Sequence, residues 1–157
     1  MDSKIYKTGF NFLSLYLEKK YGIRTFQISG AEDAWFPHIK RIIINKDLQW
    51  RDRLLALIHE SGHVQIDYNF TGYKFKSVNQ DNVNAEKIKS KKQFITVLNE
   101  ELMAWNFGKN LAHELNITFD VRRLEEMTTK CLMSYVKSGL KGVYGKKIDI
   151  EVIDPGL

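Results

Sequence analysis

Cysteine is almost missing from this chain: 157 residues include one, Cys131. A single thiol excludes a disulfide within the chain and a cysteine-rich structural zinc site, and it fits a reducing cytosol. A hydrophobic run long enough to cross a bilayer is also lacking. The apolar stretch Phe10–Leu17 is interrupted at once by Glu18, Lys19 and Lys20, and no small-residue cleavage site follows it. The expectation is therefore a non-secreted cytoplasmic chain with no membrane partner. Internal repeats, low-complexity segments and any composition break that would mark a second domain are absent as well. Charge is not strongly one-sided: the net value is +5 and the pI about 9.2. That mild excess is compatible with nucleic acid or acidic partners without requiring them.

What is present is an ordinary globular composition, 43% hydrophobic and 27% charged, long enough for one domain with a true core over 1–157. Phe10, Leu13, Tyr16 and Leu17 recur at helical spacing, predicting a helix over Thr8–Tyr21 that stops at Gly22. Ile23–Ser29 alternates like a half-buried strand, Ala34–Phe36 reads as a short one, and the β-branched His38–Asn45 as a third. Long helices are expected over Trp50–Asp67, Gln93–Leu115 and Val121–Gly139. Between the first two of these, about 68–92, lies a polar loop crowded with lysines, at 74, 76, 87, 89, 91 and 92. A C-terminal arm is expected over about 143–157.

Within the first of these three helices stands His59-Glu60-Ser61-Gly62-His63, an H-E-x-x-H pattern. Positions four apart share a helix face, so both imidazoles can reach one metal ion, and zinc suits neutral imidazole nitrogen. Glu60 projects beside them, where a carboxylate can take a proton from metal-bound water and return it to a leaving group. The flanking Leu54, Leu55, Leu57, Val64 and Ile66 make the helix apolar nearly all round, as in a buried helix. A third protein ligand is needed. One broad group of zincins supplies it six residues after the second histidine, with a glycine three after it, but Asn69 and Ile66 occupy those positions. The Gln93–Leu115 helix offers another source. Its polar face carries Asn99, Asn106, Lys109, Asn110 and His113, and Glu101 falls near the middle of the opposite, apolar face. A carboxylate there needs a partner. A metal dication is one, a buried basic group another, and Glu100, near the face boundary, is the alternative ligand.

Taken together, His59-Glu60-x-x-His63 and the downstream Glu101-x-x-Ala104 resemble the gluzincin branch of zinc metallopeptidases. The likeness is closest to minimal members: ImmA/IrrE-type metallopeptidases and small phage-encoded proteins with an HExGH … ExxAW pattern. It covers roughly residues 41–115. The resemblance implies a zincin-like α+β fold: an N-terminal helix, a small, mostly antiparallel sheet of about three strands, the active-site helix, then two long helices. It implies one zinc ion held by His59, His63 and Glu101, with Glu60 as general base. It also implies that the strand "RIIIN", Arg41–Asn45, forms a sheet edge along which an extended peptide lies. Two departures stand out. Trp105 and Asn106 occupy the place where longer gluzincins put an acidic residue that orients a histidine, and the lysine-rich loop has no counterpart.

The resulting expectation is a zinc-dependent peptidase acting on a protein or peptide in the cytoplasm (the host cytoplasm for a phage-encoded chain). Donors for a developing oxyanion would come from Tyr68 or Tyr73, which follow the active helix, with Tyr135 and His113 also available. Each of these has an ordinary reading as a core or surface side chain. The alternative is a catalytically silent zincin-fold binding module. It would contact a host factor or nucleic acid through the basic loop, with Lys87, Lys89, Lys91 and Lys92 as contact residues and interleaved aromatics as in single-strand binders. A deformylase-type amide hydrolase ranks below both, since no cysteine precedes His59. Cys131 lies on an apolar stripe with Leu124, Met127, Leu132 and Tyr135 and reads as a core residue.

Overall fold

The computed structural model describes residues 3–69 and 90–144. Tyr73, Lys87, Lys89, most of the basic loop and nearly all of the C-terminal arm lie outside these. Helix α1, Ser3–Tyr21, buries Tyr6, Phe10, Leu13 and Leu17, a stripe at steps of four and three. Lys19 and Lys20 sit in its last turn, where the helix dipole favours cations. Gly22, at a φ of +70°, takes the left-handed position that ends it.

Strands β1 (Arg24–Ile28), β2 (Ala34–Phe36) and β3 (Arg41–Asn45) form one sheet in the order β1-β3-β2. The sheet is mixed, not mostly antiparallel: β1 pairs with β3 in parallel from Arg24↔Arg41 to Ile28↔Asn45, and only β2 runs antiparallel to β3. Alternation of apolar residues marks a strand but carries no direction, so the sequence pattern could not distinguish the two. The β3 strand also begins later than expected. Pro37, with fixed φ and no N–H, opens a 3₁₀ turn over Pro37–Ile39. Lys40 closes the turn at a φ of 51°, donating its N–H to Pro37 O. β3 is thus the central strand, and the edge nearer the candidate site is β2.

Ile42 and Ile44 point from β3 into the core, against Leu54, Leu55, Leu57 and Ile58. Those residues belong to helix α2, Trp50–Asn69, which is buried without a break from Leu54 to Val64. Helix α3, Lys91–Glu114, starts at Ser90, whose hydroxyl accepts from Gln93 N–H at 3.1 Å. It crosses α2 at backbone contact. A Cβ built on Gly62 would stand 1.8 Å from Ala104 O, and one on Gly108 would stand 1.9 Å from Ile58 O. Each helix therefore contributes a glycine at the crossing. Helix α4, Val121–Tyr144, follows a short connection, so the first residues of the expected arm are helical. Arg123 ties α4 to α2, donating to Asp52 from Nε at 3.1 Å and from Nη2 at 2.9 Å.

Candidate metal centre

The glycine-mediated crossing of α2 and α3 determines what lies next to it. His59 and His63 flank Gly62 on α2, and Glu101 lies one turn before Ala104 on α3. All three side chains are buried, as is Glu60. His59 Nε2 lies 3.3 Å from His63 Nε2 and 3.2 Å from Glu101 Oε2, and His63 Nε2 lies 3.7 Å from Glu101 Oε1. A tetrahedral ion with bonds of about 2.0–2.1 Å holds its ligand atoms about 3.3 Å apart. The two nitrogens and the His59–Glu101 pair are spaced at such edges, while His63 lies 3.7 Å from the other carboxylate oxygen; the donor types fit zinc. Cys131 joins the cluster: ligand atoms of His59, Glu101 and Cys131 all lie within 4.8 Å of one another.

The electrostatics suit a cation. Burial pushes His63 down to about 4, so its imidazole is neutral near pH 7 and keeps a lone pair to donate. Burial alone would raise Glu101, but the hydrogen bond from His59 and the nearness of both imidazoles outweigh it and bring the carboxyl to about 2. For His59, burial acts downward, and the Glu101 hydrogen bond with the Glu60 charge reverses it, raising the imidazole. Glu60 is pushed up to about 7, mainly by burial. A carboxyl that exchanges its proton near neutrality is suited to act as base and then acid. Its Oε1 lies 4.0 Å from His59 Nε2, and it accepts a hydrogen bond from the backbone N–H of Trp35 on β2.

Surrounding side chains hold the cluster in place. Trp105 stacks on the His59 ring, with centroids 4.2 Å apart and planes at 24°. At the position where the resemblance leads one to expect an acid, an indole fixes a ring by its face. Glu100, more deeply buried than Glu101, faces the other ring nitrogen of His63, with Oε1 3.8 Å from Nδ1. From α4, Cys131 Sγ donates to Glu101 Oε2 at 3.7 Å and Tyr135 hydrogen-bonds the same carboxylate.

The cluster lies in a cleft of about 1060 Å³, walled by Ala31–Trp35 on one side and by α4 on the other. His59, Glu60, His63, Glu101, Cys131 and Tyr135 all line it. Tyr68 does not. It sits in the last turn of α2, 40% exposed, with its ring 4.7 Å from that of Tyr21. His113 is exposed, packs on Phe119 and is likewise away from the cleft. Lys91 and Lys92 stand exposed in the first turn of α3. Sequence reasoning missed Asp33, whose half-buried carboxylate lines the cleft and accepts from Asn45 N–H at 2.7 Å. No periodic signal could have found it, because it lies in the connection before β2. Comparison of the chain with protein-family models, curated proteins and solved structures gives no match.

Proposed function

We propose that this chain is a zinc-dependent peptidase of the gluzincin type, cleaving a protein or peptide in the cytoplasm. One observation carries the proposal: His59 Nε2, His63 Nε2 and the Glu101 carboxylate converge within 3.2–3.7 Å of one another, with Glu60 beside them. Two imidazoles and a carboxylate, leaving one position open, are the ligand set of hydrolytic zinc sites. When bound, zinc supplies a Lewis acid that polarises the scissile carbonyl and acidifies water.

The remaining chemistry belongs to the chain. Glu60, kept in orientation by the Trp35 N–H, takes a proton from the attacking water and delivers it to the leaving amine. The Tyr135 hydroxyl lines the cleft and donates to Glu101; on turning from that carboxylate it would be a donor toward a carbonyl oxygen gaining negative charge. An extended peptide would run along β2, the strand at the cleft edge of the sheet.

The test is Glu60→Gln. The variant should bind zinc as the wild type does and lose cleavage of an unstructured protein substrate by about 10²-fold or more. Cleavage retained at the wild-type rate would remove Glu60 from the chemistry and leave the fold as a binding scaffold.

A further inference from the structure

Cys131 reads from its spacing as a core residue; helix α3 and its connections separate it from the histidines in the chain, yet it lines the cleft beside them. Its sulfur lies 3.7 Å from Glu101 Oε2 and within 4.8 Å of the ligand nitrogen of His59. A tetrahedral ion bonded to sulfur at about 2.3 Å and to oxygen at about 2.0 Å separates those two atoms by about 3.5 Å. The sulfur–carboxylate spacing is close to that edge, and it uses the same Glu101 oxygen that faces His59. The thiol comes from α4, an element that contributes none of the three proposed ligands, and it lines the cleft.

We propose that Cys131 is the fourth protein ligand of the metal centre, filling the open position when no substrate is bound. The inference rests on the zinc reading above. Binding through sulfur donates a lone pair to the ion and releases the thiol proton to solvent, breaking the present hydrogen bond to Glu101. The Glu101 oxygen then serves the ion alone. With sulfur in place, water is excluded from the position that Glu60 serves, so the resting site is closed. It opens when α4 swings the thiol aside or when the thiol is modified. The same cysteine would give the site a softer ligand than a histidine–glutamate set alone, favouring zinc over magnesium or calcium.

Cobalt(II) is the probe, added alone to metal-free full-length protein. The wild type should show visible cobalt bands together with a thiolate-to-cobalt charge-transfer band in the near ultraviolet. Cys131→Ser should keep the visible bands and lose the charge-transfer band. Since Cys131 is the only cysteine in the chain, no other thiol can supply that band. An independent readout on the wild type is thiol alkylation, which zinc should slow at least tenfold and a chelator should restore. Visible bands without charge transfer, or an alkylation rate indifferent to zinc, would overturn the fourth ligand and leave the metal centre standing. No cobalt bound at all would overturn both.

Discussion

Five ionisable side chains in the core, His59, Glu60, His63, Glu100 and Glu101, are each less than one-tenth exposed. Each would be costly to bury alone. On the proposed reading, a cation at the His59–His63–Glu101 focus would compensate them together, which would explain why the chain tolerates a cluster that leucines would pack more simply. The juxtaposition of His59 and His63 could be anticipated from spacing, because a helix brings residues four apart together regardless of the rest of the fold. The burial of Glu101 followed from its place on an apolar face. The tyrosine could not be chosen from the sequence. Tyr68 and Tyr73 are the candidates that follow the active helix; Tyr68 turns to Tyr21, Tyr73 lies outside the described residues, and Tyr135 lines the cleft from α4. Which tyrosine reaches the cleft depends on how α4 docks, a tertiary fact with no local signature. Tyr135→Phe should therefore lower kcat by about 10²-fold with metal content unchanged, measured on zinc-loaded protein against the same unstructured substrate. Wild-type kcat would remove the tyrosine from the reaction.

At the scale of elements, the helices were legible and the strand directions were not. Among the described residues, helical periodicity located four helices, with α1 starting and α4 ending five residues beyond the expected bounds. Strand alternation located three strands but could not say that β1 lies parallel to β3 across a hairpin. Two glycines that carry no side-chain chemistry are central to the crossing. Gly62→Ala or Gly108→Ala would drive a methyl into a facing carbonyl oxygen, so α2 and α3 must separate. Each should cost about 3 kcal/mol in urea unfolding. Metal affinity should fall with it, since His59 and Glu101 lie on opposite sides of that contact. Stability near wild type would contradict the close approach.

The α2–α4 contact has its own pH signature. The Arg123 hydrogen bond holds the Asp52 carboxyl below its ordinary value. A carboxylate lowered in the folded state contributes stability above its unfolded pKa and loses it as pH falls through the folded value. Asp52→Asn should thus cost about 0.5–1 kcal/mol at pH 7, the modest worth of a partly exposed pair. The difference from wild type should shrink in acid, as followed by urea melts across pH.

For the whole molecule, α1, the sheet and α3 pack around one buried helix, and that helix carries the imidazoles. Among the described residues no helix is long and apolar enough to cross a membrane. Because the proposed ligands come from α2 and α3, metal binding would be coupled to folding of the whole core. At free zinc one hundred times its dissociation constant, linkage adds about 2.7 kcal/mol. The melting temperature should rise by about 5–10 °C on loading and return on chelation. Composition and length foreshadowed a single core. They said nothing of the cleft, which exists because α4 and the connection before β2 stand apart over α2.

The most direct measurement is the metal content of freshly purified protein, wild type beside Glu101→Ala and Glu100→Ala. About one zinc per chain in the wild type and in Glu100→Ala, lost in Glu101→Ala, is the predicted result. A wild type that holds no metal even after zinc is supplied would contradict it and leave His59, His63 and Glu101 as a buried hydrogen-bonded cluster.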